Sequence, residues 1–170
     1  MIELTALDKV DGNAIEALLD RAFGSDRHGR TAYRLRAGTK AIPTLSLAAL
    51  EDGALIATIQ CWPVVFTADD GRVVPITLLG PVAVEPERQR DGIGRMLMTA
   101  CLDAAAREGL GDAIMLVGDP EYYTRFFGFS TDRTAGWRLP GPFEPRRLLA
   151  RGAGVPAGDG TIGPRVTVTA

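Results

Sequence analysis

Residues 87–97 read ERQRDGIGRML. Gly92 and Gly94 sit where a helix begins, and Arg88, Arg90 and Arg95 surround them. Glycine in a helix costs about 1 kcal/mol relative to alanine, so two of them at a helix start need a reason. A helix N-terminus presents unpaired backbone N–H groups and about half a positive charge. Glycines let a ligand come close to that backbone, and arginines add charge. The chemistry on offer is capture of a phosphate or pyrophosphate. The alternative is a solvated turn whose glycines only relieve the backbone.

Three other phosphate loops fit poorly. The dinucleotide fingerprint requires a third glycine, where Leu97 stands, and a parallel βαβ unit. The P-loop requires Gly-Lys-Ser/Thr after its glycines, and none is present. The kinase loop lacks the same third glycine, and no catalytic-loop signature follows. What remains is Gln89-x-x-Gly92-x-Gly94, behind the stretch LGPVAVEPE and ahead of an amphipathic segment.

That segment predicts a helix. Ile93, Met96, Leu97, Ala100, Cys101 and Ala104 recur at i, i+3, i+4, i+7, i+8 and i+11, and Gly109 closes it. In front of the loop, TLLGPVAV (77–84) reads as a strand. Pro81 inside it lacks an N–H and breaks the ladder, so Gly80-Pro81 predicts a bulge or splay. Backbone groups left free there could pair with an extended amide-bearing ligand. The alternative is an ordinary edge strand.

The remaining elements follow from pattern. Ile2–Leu7 reads as a strand, Asp11–Phe23 as a helix stopped by Gly24, and Thr31–Arg36 as a short helix. Asp52-Gly53 between apolar runs predicts a hairpin, and TADDGRVVPI holds a second turn, so the middle is an antiparallel meander. AIMLVG (113–118) reads as a buried strand. DPEYYTRFF reads as a helix with Asp119 as N-cap and Pro120 at its first position. From Gly141 the chain is rich in glycine and proline, and only RVTVTA (165–170) reads as a strand. No repeat or boundary interrupts it, so a single domain over 1–170 is expected.

Bulk composition narrows the function. The 170 residues are 46% hydrophobic and 24% charged, enough for an ordinary core. The net charge of −2 speaks against general nucleic-acid binding. Cys61 and Cys101 belong to no metal pattern, and His28 is the single histidine, so no metal is expected. A reducing cytoplasmic setting fits these cysteines. MIELTALDKVDGN has no signal-peptide pattern, and no apolar stretch reaches the length of a membrane span.

Taken together, LLGPVAVEPERQRDGIGRMLM, the later IMLVGDPEYYTRFFGF and the earlier DRHGRTAYRLRAG resemble the GNAT family of N-acetyltransferases, in particular a group of bacterial predicted acetyltransferases. The likeness is densest over residues 77–130. It implies the acyl-CoA N-acyltransferase fold, an α/β domain with a mixed, mostly antiparallel sheet flanked by helices. It implies acetyl transfer from acetyl-CoA directly to a primary amine of a small molecule or peptide, with no metal. Homodimers are common in the family. By the resemblance, backbone N–H groups of Gln89, Arg90, Asp91, Gly92, Ile93, Gly94 and Arg95 grip the pyrophosphate. Val82, Ala83 and Val84 pair with the pantetheine arm.

Asp91 departs from the family, which commonly has Gly, Arg, Lys or Gln there. An acid beside a pyrophosphate weakens binding unless its side chain turns outward. Family members often protonate the departing thiolate with a tyrosine four residues before the glycine of GF. Counted from Gly128 that place is Thr124, so Tyr123, and less directly Tyr122, are the candidate acids if a bulge follows them. Both could instead be core aromatics. His28 and Glu85 are the visible candidates for a base. The basic stretch SDRHGRTAYRLR suggests an acceptor with an acidic group, contacted by Arg27, Arg30 and Arg34. Trp62 and Trp137 are packing residues or pocket walls. Two other classes stay open: a catalytically inactive acyl-CoA-binding module, and a binder of another nucleotide.

Overall fold

Asp52 and Gly53 both take positive φ, 52° and 85°. That is the hairpin turn whose twist matches its flanking strands. It joins β2 (Leu47–Glu51) to β3 (Ala54–Ala68). The computed structural model describes residues 1–166. Within them, β1 (Ile2–Ala6) pairs antiparallel with β2, and β2 antiparallel with β3. β4 (Val73–Val84) pairs in parallel with β5 (Ile114–Val117), which pairs antiparallel with β7 (Leu148–Arg151). β8 (Gly160–Pro164) lies antiparallel on β3, and β6 (Trp137–Arg138) parallel on β8. The strand order β1-β2-β3-β4-β5-β7 makes one mixed sheet. The meander is therefore as the turn signals predict, and β4 starts four residues earlier than the apolar run suggests.

The chain forms two units from interleaved segments. The first comprises Met1–His28, Ala41–Cys61 and Gly80–Gly109. It holds α1 (Gly12–Phe23), with Asp11 as N-cap, and α3 (Ile93–Arg107). Leu7, Ile15, Leu18, Leu19, Ala48 and Ala83 form one core cluster there. α3 buries Ile93, Leu97, Met98, Cys101, Ala104 and Ala105. The stripe is thus rotated from the predicted one: Met98 and Ala105 replace the half-buried Met96 and Ala100.

The second unit comprises Gly29–Lys40, Trp62–Leu79 and the chain from Leu110 onward. It holds α2 (Thr31–Leu35) and α4 (Pro120–Phe127). Its core joins Leu35, Phe66, Ile76, Met115, Trp137 and Ile162, with Trp62 packed against it. The indole N–H groups of Trp62 and Trp137 are buried without a hydrogen-bond partner among the described residues. Among the described residues the last strand is β8 at Gly160–Pro164, and most of the expected RVTVTA strand falls outside them. Arg165 and Val166 are not strand, and residues 167–170 lie outside the described residues.

Candidate functional site

The glycine loop lies within the first unit. β4 ends at Val84, a tight turn over Pro86–Arg88 follows, and α3 starts at Ile93. Gly92 is the N-cap, in the left-handed region at φ 79°, and no side chain caps the helix. The first helical bond runs from the Met96 N–H to the Gly92 carbonyl at 3.1 Å. The N–H groups of Ile93 and Gly94 precede it and have no acceptor within the helix. A methyl placed on Gly94 would meet Val84 Cγ2 at 3.7 Å and Val82 Cγ1 at 4.0 Å, which is ordinary contact. So Gly92 answers a backbone need, and nothing in the protein requires Gly94 to be glycine. This first turn can take an anion: N–H groups without acceptors inside the helix, the positive helix end, and no capping side chain among the described residues.

The end of β4 carries the second feature. The β4–β5 ladder covers Thr77↔Ile114 and Leu78↔Met115, stopping before the Gly80-Pro81 peptide, which is cis. The Glu85 N–H donates to Ile56 of β3 at 2.8 Å. Backbone groups alternate along a strand, so the N–H and carbonyl of Val84 face the opposite edge. The Gln89 side-chain amide donates to that carbonyl at 3.4 Å.

Ion pairs occupy most of the charge around the loop. Arg88 reaches both Glu51 and Asp91. Its Nη1 and Nη2 fork onto Glu51 at 2.5 and 3.0 Å. Its Nε donates to Asp91 Oδ2 at 2.6 Å. These bonds push the Arg88 guanidinium above its ordinary pKa, the Glu51 bond first and the Asp91 bond second. The Glu51 carboxyl is lowered, chiefly by the Arg88 hydrogen bond. Glu85 is held by Arg21 through Nε at 2.9 and 3.2 Å and through Nη2. The sequence's candidate base Glu85 is thus engaged in an ion pair with Arg21. Gln89, Arg90 and Arg95 are exposed. Glu51 and Arg21 escaped sequence reasoning because each pairs with the loop across dozens of intervening residues.

The tyrosines belong to the second unit. Asp119 caps α4, accepting from the Glu121 N–H at 3.0 Å, and Pro120 opens it as predicted. The helix runs unbroken to Phe127, so the bulge that would have brought Tyr123 to the family's tyrosine position is absent and Thr124 keeps that position. Tyr123 stacks edge-on against Tyr122 at 4.9 Å and Phe129 at 6.3 Å between ring centroids. Thr124, at the family's usual tyrosine position, is exposed. Gly118 leaves room for the Tyr123 ring, because a Cβ there would lie 2.5 Å from Tyr123 Cε2. Its place just ahead of the Asp119 cap was the available sign, and only packing reveals the reason.

Burial, followed by the negative neighbours Tyr122 and Asp119, pushes the Tyr123 phenol up to about 12. Unfolded tyrosine ionises near 10, so the folded state favours the neutral form. That contribution to stability is complete below about pH 10 and is lost as pH rises through about 12. Subtracting the phenolate absorbance titration of Tyr123→Phe from that of the parent is expected to leave a step near 12. A step near 10 would show that the phenol is solvated.

His28 is exposed within a short turn, Arg27–Gly29. Arg27 differs from expectation. It is only 2% exposed and ion-paired to Glu16 and Asp20, four residues apart on α1. It staples its own loop to that helix and cannot greet an acceptor. Arg34 donates to the Pro140 carbonyl at 2.9 Å.

A strand ending at an uncapped, glycine-started helix is an arrangement that can take an anion, and comparison with known proteins shows the class of protein that carries it. The acetyltransferase (GNAT) family profile matches residues 13–129, and the chain belongs to that family. It is similar to the uncharacterised N-acetyltransferase YhbS of Escherichia coli K12, at 31% identity over 144 residues, covering 82% of this chain and 83% of that one. The structure of YhbS with CoA has a TM-score of 0.71 at 25% identity, covering 97% and 89% of the two chains. A GNAT acetyltransferase of Brucella melitensis, solved with acetyl-CoA, has a TM-score of 0.70 at 27% identity, covering 97% and 96%. The fold is therefore that of the acyl-CoA N-acyltransferases, and the chain is an N-acetyltransferase of this family. A catalytically inactive acyl-CoA sensor finds no support among these relatives.

Proposed function

We propose that residues 1–170 act as one acetyltransferase domain that moves the acetyl group of acetyl-CoA directly to a primary amine of a small molecule or peptide. One observation carries the reading: β4 ends beside an uncapped helix start whose second residue is a glycine the fold itself does not need. When bound, the coenzyme supplies an acetyl thioester. The N–H groups of the loop from Gln89 to Arg95 hold its pyrophosphate, except that of Asp91, which donates to the Arg88 carbonyl. Along Val82, Ala83 and Val84 the free edge meets the pantetheine amides, with the outward backbone groups being those of Val82 and Val84 and Ala83 between them turned toward β3. The Val84 N–H polarises the thioester carbonyl as the amine attacks, an oxyanion-type contribution. The Tyr123 hydroxyl then gives its proton to the sulfur, with Tyr122 as the alternative donor. Burial raises its pKa to about 12, which leaves the phenol protonated but a weaker acid than an ordinary tyrosine, so the role rests on its place and not on its pKa.

No metal enters this reaction. The protein acts in the cytoplasm in this reading, as a homodimer or alone. No helix among the described residues is long and apolar enough to cross a membrane. Of the basic stretch proposed to meet an acidic acceptor, Arg27 is withdrawn and Arg30 and Arg34 stay.

Thermal melts with saturating acetyl-CoA, CoA, ATP and NADH test the reading. Ligand at about 100 times Kd adds about 2.7 kcal/mol, a rise of several degrees for a domain of this size. A rise with acetyl-CoA and CoA alone is expected, followed by turnover in an amine screen. No rise with either coenzyme would sink the reading.

A further inference from the structure

Asp91 places a negative charge inside a loop that is to hold a pyrophosphate. The loop's own arginine is turned to it. The Arg88 Nε–H points at Asp91 Oδ2, 2.6 Å away, and the main chain reinforces this, with the Asp91 N–H donating to the Arg88 carbonyl at 3.2 Å. The opposite edge of the guanidinium is fixed by a two-point contact to Glu51, the last residue of β2. Arg88 is 28% exposed and Glu51 33%, so this fork is partly shielded from solvent. A planar guanidinium with both edges engaged has one orientation, which an ammonium would not have.

Resting on the acetyl-CoA reading above, we propose that Arg88 is a positioning residue that holds the Asp91 carboxylate off the phosphate-binding N–H groups and offsets part of its charge, its single charge being shared with Glu51. Glu51 is the anchor that aims it. The loop thereby tolerates an acid beside its phosphate-binding N–H groups. Lysine at 88 could neutralise but could not fork, so it would restore only part of the function.

The test measures CoA and acetyl-CoA affinity by calorimetry for the parent, Arg88→Ala, Arg88→Lys, Asp91→Asn and the Arg88→Ala/Asp91→Asn double variant. Melting temperatures without ligand control for folding. Arg88→Ala exposes the Asp91 charge and is expected to weaken CoA binding about tenfold. Asp91→Asn alone is expected to change it less than about threefold, since the carboxylate it removes is already held away from the ligand by Arg88. The double variant is expected to regain most of the loss, a non-additivity that distant, independent sites do not show. Arg88→Lys should fall between.

Two results would overturn the proposal while leaving the coenzyme site intact. A double variant as weak as Arg88→Ala would mean that Arg88 contacts the ligand itself. An Asp91→Asn variant that binds about tenfold tighter would mean that Asp91 faces the ligand uncompensated. Absence of CoA binding by the parent protein would instead remove the acetyl-CoA reading, and this proposal with it.

Discussion

Gly94→Glu is expected to abolish acetyl-CoA binding while leaving the protein as stable as before, or more so. The two effects separate because Gly94 lies at the second position of α3 with room for a side chain. Replacing a helical glycine gains about 0.5–1 kcal/mol. An acid in the first turn adds about 0.3–1 kcal/mol with the helix dipole. Against the ligand the same acid is a like charge placed on the pyrophosphate, and a loss of about 100-fold or more is expected, about 2.7 kcal/mol. Gly94→Ala is the milder arm, since a methyl blocks close approach without adding charge. Gly92 behaves differently. At φ 79° any side chain is strained, by about 1–2 kcal/mol, so Gly92→Ala lowers stability and affinity together. Opposite movements at 94 and parallel ones at 92, read by melting temperature and calorimetry, identify a ligand-facing glycine beside a backbone-required one. Parent-like acetyl-CoA binding by Gly94→Glu would show that the ligand does not use this turn.

Tyr123→Phe is expected to lower kcat by about 10²–10⁴-fold, the usual contribution of a positioned acid. Its melting temperature should stay within a degree or so. The ring contacts to Tyr122 and Phe129 survive the change. No hydrogen bond from the Tyr123 hydroxyl to the described residues is lost, because none is formed. A group whose removal touches turnover and not stability is there for the reaction. Tyr122→Phe is the companion: parent-like kcat there leaves the role with Tyr123, and the reverse pattern moves it. If both variants keep kcat within about threefold of the parent, the two rings are core aromatics.

The parts of the fold written in local chemistry were legible. Asp52-Gly53 encodes its turn in two residues, and Asp119-Pro120 encodes a helix start in two more. α3 was visible as a period, and its face was misread by one position because alanine and methionine carry little information about which side is buried. The glycine loop was legible as a helix start for the same reason as the turns, since a helix start and its glycines are local. The C-terminal strands were not. β6 has two residues and β8 opens with Gly160, which reads as a breaker. That glycine is set by distance in space: a Cβ there would lie 2.4 Å from Phe66 Cε2. Arg27 was misread likewise. Its surroundings, SDRHGR, are those of a solvated loop, and the two acids that bury it sit on α1. Glu51 and Arg88 are 37 residues apart, and no spacing rule links them.

The thiols of Cys61 on β3 and Cys101 on α3 lie 3.3 Å apart, each only 1% exposed. Both belong to the unit that carries the coenzyme loop. Their mutual hydrogen bond and burial push the Cys61 thiol well above its ordinary pKa. Neither can meet an alkylating reagent without α3 lifting from the strand beneath it. The protein therefore contains its own clock for that event. The rate at which a small thiol reagent marks these two cysteines reports how often this part of the unit opens. Acetyl-CoA bound at the start of the same helix is expected to slow the marking in proportion to its occupancy, so affinity becomes readable in a protein whose acceptor amine is still to be found.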